Sequence, residues 1–222
     1  MRFLQHLLAV ISLSLVAVAA SASPANLQNG LDYRTLDKPQ QTDSGKKIEV
    51  IEFFSYACPH CSTFEPLLAD WVKKQGDNIV FKRVPAGFRP NWVPLQHLYY
   101  ALEAMGKADE LSKKVFHAIH VERQTLESEG AIADFIAKQG VDRKKFLDVY
   151  NSFSVQAKVH RVAQLQETYK VEGVPLIVID GRFETSPSIV SASIGNQPEP
   201  ILMAATSQVM DALVAKIRKE RN

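Results

Sequence analysis

Two cysteines separated by two residues are the side chains of this sequence best suited to chemistry. Cys58 and Cys61 are the only cysteines in the chain, and the motif reads Cys-Pro-His-Cys. Two thiols at this spacing can form and break a disulfide with each other, so the motif predicts thiol–disulfide exchange. A purely structural disulfide is a weak alternative, because the loop it would close is very short. A metal site is also disfavoured, because no second pair of Cys or His lies nearby in sequence.

The elements on either side of the motif should place Cys58 at the start of a helix. The run Ile48–Phe54 is rich in β-branched and aromatic residues and predicts a buried strand. After the motif, apolar residues recur at spacings of three and four and predict a helix beginning at Pro59, where proline is favourable. The sulfur of Cys58 should then face free backbone N–H groups and the positive end of the helix dipole. Each pKa unit by which they stabilise a thiolate corresponds to about 1.36 kcal/mol.

His60 and Cys61 complete the first turn of the predicted helix. His60 can add a positive charge or a hydrogen-bond donor beside Cys58, and Cys61 should face inward. Pro66 lies within the helical pattern and is expected to kink the helix, because it has no amide hydrogen to donate. A disulfide that leaves a stabilised thiolate passes readily to another protein, with Cys58 as the attacked sulfur and a good leaving group.

The rest of the chain alternates between strand and helix patterns. Residues 78–84 predict a second strand, and from about residue 88 to 170 the apolar residues follow the period of a helix. The apolar run Leu176–Ile179 predicts another strand. It leads into Asp180-Gly181, a dipeptide typical of a tight hairpin turn.

The order of these elements predicts an α/β fold that contains a helical insertion. The sheet domain would comprise residues 23–87 and 165–222, and the helical domain residues 88–164. A loop rich in Ser, Pro and Gly is expected at Ser186–Pro198, followed by a last helix with a basic end.

The first 22 residues predict a secretory signal peptide. A weakly basic start precedes an apolar run from Leu7 to Val18, and Ala20-Ser21-Ala22 fits the A-x-A rule, with cleavage after Ala22. An uncleaved anchor helix is the alternative. The cysteines of an exported chain meet oxidising conditions, and the bacterial periplasm is the expected location.

The composition excludes several classes of protein. Of the 222 residues, 46% are hydrophobic and 23% charged, which is typical of a globular chain and not of disordered or collagen-like ones. The formal net charge of +2 gives no electrostatic reason to expect a nucleic-acid partner. No metal and no cofactor are expected.

The sequence resembles the DsbA family of thioredoxin-like proteins over essentially the whole mature chain. The stretch Glu52–Cys61 resembles the active-site strand and turn of that family, and Gly173–Pro175 resembles its proline loop. Thr35–Pro39 and Tyr150–Phe153 resemble the family at corresponding places. The resemblance implies a thioredoxin-like fold with an inserted all-helical domain, in agreement with the order of the predicted elements.

The resemblance also implies the roles of the motif residues. Cys58 is the nucleophile and Cys61 the resolving thiol, and Pro59 and His60 belong to the same catalytic motif. An acidic nucleophilic cysteine and an oxidising disulfide are known properties of this family and are carried over to this pair.

Further site residues follow from the same resemblance. Pro175 should follow a cis peptide bond and pack against the disulfide, which leaves the backbone of Val174 free to pair with an extended substrate. Glu52 matches the buried acidic residue of the family, a proton relay for Cys61, and Lys82 is its candidate partner. The alternative for Glu52 is an edge-facing carboxylate. The other histidines are assigned no chemistry.

These observations predict a thiol:disulfide oxidoreductase that donates its Cys58–Cys61 disulfide to reduced, newly exported proteins. By resemblance, a DsbB-like membrane partner linked to quinone reoxidises it, and the protein is a monomer. The alternatives are a disulfide isomerase or reductase, a non-catalytic peptide-binding chaperone and a metal-binding thiol protein. Only residues 23–47 precede the first long strand in the mature chain, which argues against an isomerase with a sizeable N-terminal dimerisation domain.

Overall fold

The computed structural model of the protein describes residues 26–221 and contains a mixed five-stranded sheet. The strands are β1 (Arg34–Thr35), β2 (Ile48–Phe54), β3 (Ile79–Pro85), β4 (Leu176–Ile179) and β5 (Phe183–Thr185). Their order in the sheet is β1-β5-β4-β2-β3, with β2 and β3 parallel and the other pairs antiparallel. The predicted signal peptide, residues 1–22, and its cleavage site lie outside the described residues.

The part of the chain that the structure describes also contains eight α-helices. They are α1 (Pro59–Gln75), α2 (Val93–Ala104), α3 (Ala108–His120), α4 (Glu129–Lys138), α5 (Arg143–Tyr150), α6 (Phe153–Thr168), α7 (Pro187–Ile194) and α8 (Glu199–Arg221). α2 to α6 follow one another with no strand between them, as the apolar period predicts. α6 continues past residue 164, where the helical domain was predicted to end, and the domain boundaries stay a prediction.

β2 lies inside the sheet and is buried along its whole length, which explains why five of its seven residues are apolar. Because successive side chains of a strand point to opposite faces, Ile51 and Phe53 join one apolar core, and Ile48 and Val50 join another. The first core contains the buried apolar residues of α2 to α6 together with both cysteines. The second contains Phe64, Leu68 and Trp71 of α1 and the buried apolar residues of α8.

A tight turn joins β4 to β5, as the Asp180-Gly181 pair predicts. Asp180 and Gly181 have φ values of 58° and 60°, in the left-handed region that such hairpin turns require. The amide of Gln40 donates a hydrogen bond to the carbonyl oxygen of Gly181 at 2.8 Å. A Cβ at position 181 would clash with the backbone oxygen of Gln40, so both the conformation and the packing require glycine.

The expectation of one continuous loop at Ser186–Pro198 is wrong, because this stretch contains α7. Ser186 is the N-cap of the helix, and its side-chain oxygen accepts a hydrogen bond from the amide of Ile189 at 3.1 Å. Pro187 occupies the first turn, where a helix has no use for its missing N–H. Serine and proline were interpreted as loop residues, but here they mark the start of a helix.

Two long helices flank the second core. α1 runs without interruption through Pro66, so the proline does not divide the helix, and the kink expected there stays a prediction. Within the described residues, α8 alone is long and apolar enough to span a membrane by length and composition. Its apolar side chains, including Met210 and Leu213, are buried in the second core, which is the behaviour of a core helix.

Candidate active site

Cys58 lies at the N-cap of α1, as the sequence predicts. Its backbone is extended, with φ −88° and ψ 118°, and Pro59 follows in the first turn. The carbonyl oxygen of Cys58 accepts a hydrogen bond from the amide of Ser62 at 3.1 Å, which begins the helix. Cys61, one turn on, is fully buried, in agreement with the expectation that it faces inward. The structure holds both cysteines as thiols.

The surroundings of Cys58 favour its thiolate. The Cys61 thiol donates a hydrogen bond to it and is the largest cause that lowers the pKa of Cys58, to about 6. Burial opposes this effect, whereas the backbone N–H groups of Cys61 and His60 and the charge of His60 reinforce it. Burial and the neighbouring Cys58 raise the pKa of Cys61 well above its usual value. The two sulfurs therefore differ strongly in acidity.

The proline loop lies directly beside Cys58. The Val174–Pro175 peptide bond is cis, as the resemblance implied. The Cys58 thiol donates a hydrogen bond to the carbonyl oxygen of Val174 at 3.3 Å, so this carbonyl is engaged in the dithiol form. Next to this contact, His60, Val174 and Pro175 line an open cavity of about 530 Å³ that extends toward the start of α8.

His60 is bound by a residue from a distant part of the chain. Its Nδ1 lies 2.7 Å from Oε1 of Glu199, the first residue of α8. The His60 side chain is 65% exposed and that of Glu199 38% exposed. The hydrogen bond to Glu199 raises the pKa of His60, while partial burial opposes this shift. The sequence contains no local signal for this contact, because 139 positions separate the two residues.

Glu52 is buried beneath the cysteines, so the alternative of an edge-facing carboxylate is wrong. Its side chain is 1% exposed on an interior strand of the sheet. Burial raises the pKa of Glu52 to about 7, although the charge of Arg83 opposes the shift. The charge of Glu52 in turn helps to raise the pKa of Cys61. A carboxyl that titrates near neutral pH therefore lies within electrostatic reach of the buried thiol.

The partner of Glu52 is Arg83, and the prediction of Lys82 is wrong. Arg83 Nε lies 2.8 Å from Glu52 Oε2, although neither atom makes a well-directed hydrogen bond to any described residue. The two residues are directly opposite in the parallel register of β2 and β3. Side chains alternate along a strand, so Lys82 points to the other face, where it binds Glu49 at 2.7 Å.

A second carboxylate completes the buried charge cluster. Glu65 on α1 accepts two hydrogen bonds from the guanidinium of Arg83, at 2.6 and 3.3 Å. The side chains of Arg83 and Glu65 are only 8% and 7% exposed. Sequence reasoning missed both residues, because the pairing of Arg83 depends on the register of β2 and β3 and the position of Glu65 depends on how α1 packs.

The turn before Cys58 is fixed by α3. The hydroxyl of Tyr56 makes a buried hydrogen bond of 2.8 Å with the hydroxyl of Ser112. The backbone oxygen of Tyr56 accepts a hydrogen bond from Nε2 of His120, also at 2.8 Å. His120 was assigned no chemistry from the sequence. The structure gives it a contact that positions the backbone two residues before the nucleophile candidate.

Known proteins resemble this chain over nearly its full length. A model of the DSBA-like thioredoxin domain matches residues 77–205, a segment that begins after the cysteine motif. The thiol:disulfide interchange protein DsbA of Burkholderia cepacia is 43% identical over 213 residues, which cover 96% of each chain and include the motif. The chain belongs to the DsbA family. The DsbA protein of Bordetella pertussis (strain Tohama I) is 40% identical over 214 residues, covering 96% of this chain and 97% of the relative.

Solved structures of the DsbA family agree with this assignment. The crystal structure of Pseudomonas aeruginosa DsbA superposes with a TM-score of 0.79 at 33% identity, covering 88% of this chain and 96% of that chain. The DsbA oxidoreductase of Xylella fastidiosa superposes with a TM-score of 0.76 at 27% identity, covering 87% and 98%. The predictions of a thioredoxin-like α/β fold with a helical insertion and of a thiol:disulfide oxidoreductase are thereby confirmed at the level of the family.

Proposed function

We propose that this DsbA-family protein donates the disulfide between Cys58 and Cys61 to reduced, newly exported proteins during oxidative folding. The observation that carries the proposal is the contrast between the two sulfurs. The pKa of Cys58 is lowered to about 6 at the start of a helix, whereas Cys61 is buried with a raised pKa. An acidic nucleophile is the known behaviour of this family, so the contrast supports a function carried over from it.

The reaction begins with the disulfide form. A substrate thiolate attacks Sγ of Cys58, a bond forms between these sulfurs, and the Cys58–Cys61 bond breaks. Cys61 leaves and takes up a proton, because its raised pKa disfavours a thiolate. A second substrate thiolate then attacks the substrate sulfur of the mixed disulfide. Cys58 leaves as a stabilised thiolate, and two electrons have passed from the substrate to the protein.

The neighbouring residues assist particular steps. Glu52 supplies the proton to Cys61, since a carboxyl with a pKa of about 7 is partly protonated at neutral pH. Pro59 starts α1 without requiring a partner for an N–H, and His60 adds positive charge beside Cys58.

The substrate binds beside the proline loop. Val174 and Pro175 offer backbone and apolar surface next to Sγ of Cys58, on the wall of the cavity of about 530 Å³. An extended peptide that pairs with Val174 would displace the contact that its carbonyl oxygen makes with the Cys58 thiol. Reduced, unfolded chains provide such extended segments.

The resemblance to the DsbA family supports the remaining assignments. The signal peptide, residues 1–22, is cleaved after Ala22, and the mature protein acts in the periplasm as a monomer. A DsbB-like membrane protein linked to quinone reoxidises the cysteine pair. The sheet domain comprises residues 23–87 and 165–222, and the helical domain residues 88–164.

Equilibration of the mature protein with glutathione buffers tests the proposed function. An oxidising couple is expected, together with complete loss of substrate oxidation in Cys58→Ser. The matched variant Cys61→Ser keeps the nucleophile and should accumulate mixed disulfides with substrate. A strongly reducing couple would assign the protein to the reductases. Undiminished substrate oxidation in Cys58→Ser would exclude Cys58 as the nucleophile. Peptide binding without substrate oxidation by the wild-type protein would favour the chaperone alternative, and metal bound by the reduced protein would favour the metal-site alternative.

A further inference from the structure

His60 and Glu199 form an ion pair at the rim of the candidate active site, and the DsbA-family function leaves Glu199 without a role. We propose that Glu199 is a positioning residue that holds His60 charged and oriented beside Cys58. The pair joins the first turn of α1 to the first turn of α8 through a contact of 2.7 Å between Nδ1 and Oε1. The inference rests on the proposed function and adds to it the residue that keeps the histidine of the motif protonated.

The geometry connects Glu199 to the nucleophile through His60. His60 lies two residues after Cys58 in the same turn, and both its backbone N–H and its charge favour the Cys58 thiolate. Glu199 contacts Nδ1 of the imidazole ring, and its carboxylate accepts a hydrogen bond from Nδ1–H when the ring is charged. The imidazolium therefore interacts favourably both with the carboxylate of Glu199 and with the thiolate of Cys58.

The charged groups that face His60 come from two helices. Cys58 is the N-cap of α1, the helix that carries His60, and Glu199 lies on α8. Both residues raise the pKa of His60. Other charged residues line the same cavity on β1, on β5 and on the loop before β4: Arg34, Lys170, Glu172 and Glu184. The contact with Glu199 is the largest cause that raises the pKa of His60.

The position of the pair explains why its strength matters for exchange. Both residues line the cavity that contains Val174 and Pro175, so a bound peptide would cover the pair and exclude water from it. Exclusion of water strengthens the attraction between opposite charges. The imidazolium would therefore be held most firmly when the mixed disulfide forms and when Cys58 leaves as an anion.

Removal of the carboxylate has two effects of opposite sign on the Cys58 thiolate. A direct effect would favour the thiolate, because a negative charge disappears from its surroundings. The effect through His60 would disfavour it at pH 7.5, because the imidazole loses its proton more easily without Glu199. The sign of the measured change therefore decides between the two.

Glu199→Gln tests the inference, because glutamine keeps the size of the side chain and removes its charge. At pH 7.5 we expect the variant to be less oxidising than the wild-type protein. Half of it should be reduced only when the ratio of the squared GSH concentration to the GSSG concentration is about threefold higher, an effect of the size typical of exposed ion pairs. For a two-electron couple, threefold corresponds to about 14 mV. The difference should shrink at pH 5.5, where the imidazole is charged with or without Glu199. NMR titration of the His60 ring should show its midpoint moving to lower pH in the variant.

Two controls isolate the pathway through His60. In a His60→Asn background, Glu199→Gln should no longer make the couple less oxidising, because only the direct effect of the lost negative charge remains and that effect has the opposite sign. A second exposed His–Glu pair provides the other control: His117 on α3 contacts Glu122 at 3.1 Å, just beyond the end of that helix. Glu122→Gln should leave the potential unchanged.

An unchanged or more oxidising potential in Glu199→Gln, or an equal effect in the His60→Asn background, would overturn the inference. Failure of the proposed function looks different, because the wild-type protein itself would then lack an oxidising couple and substrate oxidation.

Discussion

Replacement of Arg83 by methionine should destabilise the protein strongly, and more so at high pH. Arg83 is the cation among the buried side chains of Glu52 and Glu65, which are 1% and 7% exposed. Its removal leaves two carboxylates without their charge partner, and breaking a buried ion pair in this way costs about 3–5 kcal/mol. Arg83→Lys keeps the charge and serves as the matched variant, with a smaller loss expected from the weaker geometry.

The pH dependence follows from the titration of Glu52. Its pKa is raised from 4.5 to about 7, so the folded state binds this proton more tightly than the unfolded state. Stability from this group is therefore greatest at low pH and declines by about 3 kcal/mol as the pH rises from 4.5 to 7. Without Arg83 the pKa of Glu52 rises further, and the decline becomes larger and continues to higher pH.

Urea denaturation of the disulfide form at pH 5 and pH 8 measures this prediction, because no thiol titrates in that form. The unfolding free energy of Arg83→Met should fall below that of wild type by about 3–5 kcal/mol at pH 8, and by clearly less at pH 5. Arg83→Lys should show a smaller loss that is similar at both pH values. A cost below about 1 kcal/mol, or one that is equal at pH 5 and pH 8, would refute the account of the buried charge cluster.

Three further predictions concern the turn before the nucleophile, the thiolate and the hairpin. Tyr56→Phe should lower the unfolding free energy by about 1–3 kcal/mol, because it leaves the buried Ser112 hydroxyl without its partner. The double variant with Ser112→Ala should recover part of this loss, because it also removes the unpaired hydroxyl. The dithiol form should lose up to about 4 kcal/mol relative to the disulfide form as the pH falls from 9 to 6, because the pKa of Cys58 is lowered from 9.0 to about 6. A difference independent of pH would contradict the lowered pKa. Gly181→Ala should lower the free energy of unfolding by at least about 1–3 kcal/mol, because its φ is +60° and the new Cβ would clash with the Gln40 backbone. Thermal or urea unfolding measures this loss, and an unchanged stability would contradict the requirement for glycine.

Features fixed by neighbouring residues could be predicted from the sequence. The position of Cys58 at the N-cap depends on a strand, a turn and a proline that are adjacent in the chain, and all three can be recognised without knowledge of the fold. The hairpin at Asp180-Gly181 depends equally on local conformation. The helical insertion was visible because its apolar period extends over many consecutive residues.

Features fixed by the register or by distant packing could not be predicted in the same way. Whether Lys82 or Arg83 meets Glu52 depends on a one-residue shift between β2 and β3, since neighbouring side chains point to opposite faces. The contact of Glu199 with His60 depends on how α8 packs beside α1, and no spacing in the sequence indicates it.

The cause of the low pKa of Cys58 was also predicted only in part. The sequence indicated the backbone N–H groups and His60, and both contribute. The largest cause is the hydrogen bond from Cys61, whose direction depends on the side-chain conformations of both cysteines.

Titration of the Cys58 thiolate by its ultraviolet absorbance, with the disulfide form as the baseline, tests the central claim most directly. We expect one thiolate to appear with a midpoint near pH 6, and Cys61 to ionise only at much higher pH. Cys58→Ser should abolish the transition near pH 6. A midpoint for Cys58 near its ordinary value of 9.0 would contradict the claim that the start of α1 holds this sulfur as an anion.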